Sequence, residues 1–196
     1  MPEGRPCPNN PDMAHIVVVF HSGYGHTQRM AQAVAEGADG ELIPIDADGN
    51  LPPADWGRLK AADAIIFGSP TYMGSVSWQF KKFADASSKP WFAQEWKDKV
   101  AAGFTSSSGM NGDKLHTLHT LFTLAMQHSM IWVSQGLMPA NTKAARRDDI
   151  NYLTSYSGAI AQAPADGGTG DMAPGDLATA KLFGKRVADI AAKLKG

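Results

Sequence analysis

The chain has 196 residues, 43% of them hydrophobic and 19% charged, a balance that supports a sizeable core and excludes disorder over most of its length. Lys and Arg total 18 and Asp and Glu total 19, so the net charge of −1 lacks both the basic excess of a nucleic-acid binder and the strongly acidic surface of a carrier that steers basic partners. The one cysteine, Cys7, excludes an intrachain disulfide and a cysteine-based metal site, and no apolar run is long enough for a membrane span.

Residues 1–12 are rich in Pro and Asn and read as a disordered leader without the apolar stretch of a signal peptide; residues 13–196 read as one domain of a soluble, cytoplasmic protein. Ile16 to Phe20 is a continuous apolar run, the mark of a strand buried on both faces. After a polar turn, Thr27 to Gly37 reads as a helix with Met30, Ala31, Val34 and Ala35 on one face. Glu41 to Ile45 is a short second strand whose Pro44 predicts an edge position. A short helix ends at Ala62, and Ala64 to Gly68 is the third strand. A helix carrying Val76, Phe80 and Phe83 follows, then a fourth strand from Lys99 to Phe104. Leu115 to His128 is a helix, Met130 to Val133 the fifth strand, and Leu177 to Leu194 a final amphipathic helix with lysines near its C-terminus. Between them, residues 134–175 form a long stretch rich in Gly, Pro and Asp, of a length that is usually functional. Five strands alternating with helices predict an α/β, doubly wound parallel sheet with helices on both faces.

In such sheets ligands bind at the carboxyl ends of the strands. That rule points to three loops, rich in Gly, Ser and Thr. Ser22-Gly23-Tyr24-Gly25-His26-Thr27 joins a buried strand to a helix N-terminus, where amides and the helix dipole favour an anion. It reads either as a helix cap with turn glycines or as a site for a terminal phosphate held by neutral donors. It is neither a Walker loop nor the dinucleotide fingerprint, because the Gly-Lys-Ser/Thr ending is missing and Gln28 stands where a third glycine is needed. The second loop, Ser69-Pro70-Thr71-Tyr72-Met73-Gly74, is suited to the polar edge of a flat ring. The third, Thr105-Ser106-Ser107-Ser108-Gly109-Met110-Asn111-Gly112, offers hydroxyls and exposed amides with little bulk. His116 and His119 read as surface residues, His21 as a turn residue, and the aromatic cluster Trp78, Trp91, Phe92 and Trp96 as core or subunit interface.

Together the three loops resemble the flavodoxin-like FMN oxidoreductases, and within them the NAD(P)H:quinone oxidoreductases of the tryptophan-repressor-binding-protein type. The resemblance runs from His15 to the final helix. It implies a flavodoxin-like sheet of order 2-1-3-4-5 and FMN as cofactor, with NADH or NADPH as co-substrate. It further implies a quinone-like acceptor reached by ping-pong transfer of two electrons, and a homo-oligomer, dimer or tetramer, with no membrane or nucleic-acid partner. Ser22 to Thr27 would hold the phosphate, with Tyr24 near the nicotinamide. Pro70, Thr71, Tyr72, Met73 and Gly74 would flank the isoalloxazine ring. Thr105, Ser106, Ser107, Ser108, Gly109, Met110 and Asn111 would line its other edge. His128 matches a histidine over the flavin that would donate a proton to the acceptor, and Trp91 an aromatic residue that reaches a neighbouring subunit's flavin. Tyr72 and Met73 stand where the family's best-known form has Arg then Phe, and Gly158-Ala159-Ile160-Ala161 replaces a Gly-Ala-Thr-Thr stretch of its late loop. Two rival readings share the cofactor: a one-electron flavodoxin-type carrier, and a non-enzymatic FMN-binding interaction protein. No Gly-x-Ser-x-Gly elbow favours a hydrolase.

Overall fold

The computed structural model describes residues 14–195, so the expected leader at 1–12 lies outside the described residues. The elements follow as β1 (Ile16–Phe20), α1 (His26–Ala38), β2 (Glu41–Pro44), α2 (Pro53–Ala61), β3 (Ala64–Tyr72), β4 (Ser75–Val76), α3 (Trp78–Ala86), α4 (Ser88–Phe92), β5 (Val100–Ser107), α5 (Lys114–Gln127), β6 (Ile131–Trp132), β7 (Ala159–Gln162) and α6 (Pro174–Lys195), with a 3-10 turn at Thr169–Asp171 before the last.

One short apolar run feeds two cores, because successive side chains of a strand point to opposite faces. Ile16, Val18 and Phe20 pack with Met30 and Val34 of α1 and Phe183 and Val187 of α6. Val17 and Val19 pack on the other face with Leu59, Phe80, Phe83, Trp96, Leu118 and Leu121. Each such buried side chain contributes about 1.5–3 kcal/mol. α1 and α6 meet backbone to backbone: a Cβ on Gly37 would stand 1.8 Å from the Lys181 carbonyl, and one on Gly184 2.0 Å from that of Val34.

The sheet runs β2-β1-β3-β5-β6, which is the expected 2-1-3-4-5 path, and β2 with its Pro44 is at the edge. The expected count of five strands is corrected to seven among the described residues. The position beyond β5 is shared: β6 pairs with Val100 and Ala101, and β7 pairs with Phe104 to Ser107, both parallel. Residues 133–158 are inserted between them, and the apolar signal of Ala-Ile-Ala-Gln was too weak to mark a strand. β4 turns back antiparallel on β3 through Met73 (φ 47°) and Gly74 (φ 80°), a primed hairpin turn.

Two expected loops are in part strand. β3 continues through Ser69 to Tyr72, and β5 through Thr105 to Ser107, with Ser69 opposite Thr105 and Pro70 opposite Ser106. β1 accompanies β3 only as far as Gly68, so Pro70 sits where β3 has lost one neighbour and a proline is tolerated. Of the aromatic cluster only Trp96 is core; Trp78, Trp91 and Phe92 are exposed. No helix among the described residues is long and apolar enough to cross a membrane.

Candidate functional site

At the carboxyl ends of β1, β3 and β5 lies a cleft of about 450 Å³, within the range of small-molecule sites. Its walls are Tyr24, His26 and Thr27 from the first loop, Pro70, Thr71 and Tyr72 from β3, Ser106, Ser107 and Ser108 from β5, and Ala163, Pro164, Ala165, Gly167 and Gly168.

The first loop is wound so that α1 points its N-terminus at this cleft. Gly25 takes the N-cap position at φ 90°, a conformation that favours glycine. Glycine brings no side-chain cap, and Ser22 supplies one: its hydroxyl accepts from the amides of Gly25 and Gln28, both at 3.1 Å. The amides of His26 and Thr27 are left without an acceptor among the described residues. Unpaired first-turn amides beside the positive end of a helix dipole are what a terminal phosphate requires. The buried Thr27 hydroxyl bonds that of Ser106 at 3.0 Å, joining the anion end to β5. Gly23 leaves room for the Tyr72 hydroxyl, which would lie 2.5 Å from a Cβ there.

The middle of the cleft is held by hydroxyls. Thr71 bonds Thr105 and Thr117, each at 2.8 Å, so three threonines lock β3, β5 and α5 together. Tyr24 stands edge-on to Tyr72, with ring centroids 6.2 Å apart and planes at 72°. Burial, and then the neighbouring Tyr24, push the Tyr72 hydroxyl pKa up, so it stays a neutral donor. Met73 is fully exposed at the hairpin tip beside Gly74. Gly109, Met110 and Asn111 continue past Ser108, and the last two face a neighbouring cavity.

One contributor escaped the sequence. His21 is buried, and its Nδ1 lies 2.8 Å from the Ser77 hydroxyl, which caps α3 and reaches Ser69 at 3.5 Å. It therefore ties the first loop to the second; burial pushes its pKa down and keeps it neutral. Its place directly after a fully buried strand was the available signal. The late loop, part of the long stretch 134–175 expected to be functional, supplies a further wall. The Ala163 amide donates to the Ser107 carbonyl at 2.9 Å, and His26 Nε2 lies 3.2 Å from the Gly167 carbonyl.

His128 and Trp91 are not brought to this cleft. α5 starts at the cleft edge and runs back across the sheet, so His128, its C-cap, ends near the opposite rim beside β6. Both residues line a second cavity, of about 490 Å³, between α3, α4 and α5. His128 is buried, stacks on Trp96 at 4.1 Å and holds the Ser87 hydroxyl at 2.9 Å. Burial pushes its imidazole down to about 4. Within one chain, His128 is thus a neutral, packed histidine remote from the cleft it was expected to overlie. The unfolded chain takes up this proton near pH 6.5 and the folded chain only near 4, so stability present above pH 6.5 is lost as pH falls towards 4. His128→Gln is expected to shrink the stability difference between about pH 7 and pH 5 by about 2 kcal/mol, measured by urea unfolding at both. An undiminished difference would assign the acid sensitivity elsewhere.

Residues 17–144 match the family described as NADPH-dependent FMN reductase. Among curated relatives, Flavodoxin FldP of Pseudomonas aeruginosa is 55% identical over 93% of this chain and 99% of its own. An NAD(P)H dehydrogenase (quinone) of Geobacter sulfurreducens is 35% identical over 93% of this chain and 100% of its own. A crystal structure of a flavodoxin, WrbA-like protein from Agrobacterium tumefaciens superposes with TM-score 0.77 at 53% identity, covering 92% of this chain and 98% of that one. Flavodoxin-like order, a helix N-terminus aimed at a hydroxyl-lined cleft and these likenesses agree: the chain belongs to the NADPH-dependent FMN reductase family of flavodoxin-like oxidoreductases.

Proposed function

We propose that residues 13–196 work as one FMN-binding domain of a cytoplasmic enzyme that moves two electrons from NADH or NADPH to a quinone-like acceptor. The observation that carries this reading is the cleft itself: unpaired amides of His26 and Thr27 at one end, and a neutral wall of hydroxyls and aromatic rings at the other. The donors fit FMN, a monophosphate bearing a flat ring. Bound there, FMN supplies two-electron redox chemistry that no side chain offers. Ser22, His26 and Thr27 hold the phosphate. The threonine triad fixes the wall behind the ring, and Tyr24 and Tyr72 close its open side and exclude water. One cleft of this size admits the nucleotide and the acceptor in turn, which gives ping-pong kinetics. Quinone reductase relatives at 35% identity support the acceptor class.

The half-exposed Trp91 and the exposed Phe92 and Trp78 support a homo-oligomer, in which Trp91 meets the flavin of another copy. A second reading, the one-electron carrier, is favoured by the relative named a flavodoxin, and the net charge of −1 speaks against it.

The deciding experiment is an anaerobic titration of FMN-loaded protein with NADPH and then NADH. Stoichiometric bleaching of the visible flavin band, restored by benzoquinone, is the expected result. Failure of both nucleotides to bleach it would favour the carrier, and a protein that takes up no FMN would end both readings. Intersecting rather than parallel double-reciprocal lines would remove the ping-pong scheme.

A further inference from the structure

We propose that Lys114 is a positioning residue: its buried ammonium winds the third loop, residues 108–112, so that four successive amides face outward as donors for the flavin. The inference rests on the flavin reading above.

Lys114 opens α5, where the helix dipole disfavours a cation, and its side chain is buried at 1% exposure. Its ammonium donates to the loop's own carbonyls: that of Gly109, that of Met110 at 3.1 Å and that of Asn111 at 3.5 Å. The Lys114 amide adds a bond to the Asn111 carbonyl at 3.2 Å. The Ser107 hydroxyl reaches the Gly109 carbonyl at 3.3 Å, and the Gln162 amide group takes the Ser108 carbonyl at 3.1 Å. Four consecutive carbonyls, 108 to 111, are thus turned into the protein.

A trans peptide holds its C=O and N–H on opposite sides. The amides of Gly109, Met110, Asn111 and Gly112 are therefore turned outward, and none has an acceptor among the described residues. Successive amides on one side of a loop make an electropositive surface suited to anionic or electron-rich groups. Ser107 and Ser108, which lead into the loop, are cleft wall. A buried ammonium is unfavourable unless its acceptors stay in place, so the lysine and the loop order each other.

Burial pushes the Lys114 ammonium down to about 8, which brings loss of its charge into an accessible range. Asp176 on α6 favours the charge, and Arg147 in the insertion opposes it. Asp113 precedes the lysine at the helix cap, and His119, Tyr152 and Tyr156 line the cavity beside it.

The test uses the wild-type protein and Lys114→Met, a side chain of similar length without donors. Subtilisin cleavage within residues 107–114 of the FMN-free protein is mapped by mass spectrometry. FMN affinity is measured by fluorescence quenching from about pH 7 to about pH 9.5. The variant is expected to be cut faster in this loop and to bind FMN about tenfold more weakly, with no pH dependence in this range. Wild-type affinity is expected to fall towards the variant's across the same range, because a neutral amine loses the charge assistance of its hydrogen bonds. Unchanged loop cleavage, or a wild-type affinity constant across the range, overturns the proposal; the second outcome decides alone should the variant not fold. Wild-type protein that takes up no FMN at about pH 7 overturns the flavin reading and this use of the loop together. Normal uptake with a flat pH profile overturns only the role of Lys114.

Discussion

Asp176→Ala is expected to lower stability by about 3 kcal/mol, read as a fall in the urea midpoint at unchanged slope. The carboxylate is buried and makes a bidentate pair with Arg147, at 2.7 and 2.6 Å. It also accepts the Gln162 amide at 2.9 Å and stands in the first turn of α6, where its charge suits the dipole. One side chain thereby joins the insertion, β7 and the last helix. Its removal strands a guanidinium that is only partly in water, and leaves a strand amide unpaired. Exposed pairs such as Lys81 with Asp85 and Lys185 with Asp189 supply the contrast. Breaking either is expected to change stability by about 0.5 kcal/mol or less. An Asp176→Ala protein that unfolds at the wild-type midpoint would show that the insertion is held by packing alone.

The double substitution Ser22→Ala with Thr27→Ala is expected to weaken FMN binding about a hundredfold or more, since hydrogen bonds to a charged group contribute about 1.5–3 kcal/mol each. Ser22 acts twice. In the proposed flavin site its hydroxyl proton is given to the phosphate, while its oxygen accepts the Gly25 and Gln28 amides of the first turn. Loss of that cap alone is expected to lower the stability of the FMN-free protein by about 1 kcal/mol. Thermal melting of the FMN-free double variant separates the two effects. Full flavin retention in a normally folded double variant would move the phosphate elsewhere.

The frame of this protein was written in residues whose chemistry is unambiguous. Ile16 to Phe20 can only be a strand buried on both faces, and Pro44 can only sit at an edge. The cleft was legible because Gly25 and Ser22 stand at a strand-to-helix junction. What was hidden depended on neighbours far along the chain. Ser69 to Tyr72 and Thr105 to Ser107 carry turn-forming residue types, yet Ser69 and Pro70 pair with Thr105 and Ser106, Thr71 and Tyr72 with β4, and Ser107 with β7. The pairing supplies the hydrogen bonds that would otherwise favour a turn. β7 is invisible because two of its four residues are alanines and its partner lies more than fifty positions earlier. The separation of His128 from the cleft within one chain was hidden for a related reason. A residue number near a helix end says nothing of which rim of the sheet that end reaches, and 14 residues carry α5 about 21 Å.

The sharing of one sheet position by β6 and β7 has a mechanical consequence. β6 belongs to the far rim, and only β7 borders the cleft. The chain between them, with the late loop that follows, is therefore expected to exchange its amide hydrogens before β1, β3 and β5 do. Local opening of this kind lies below global unfolding in free energy. Cofactor escape and denaturation are then expected as separate transitions, with free flavin concentration shifting only the first.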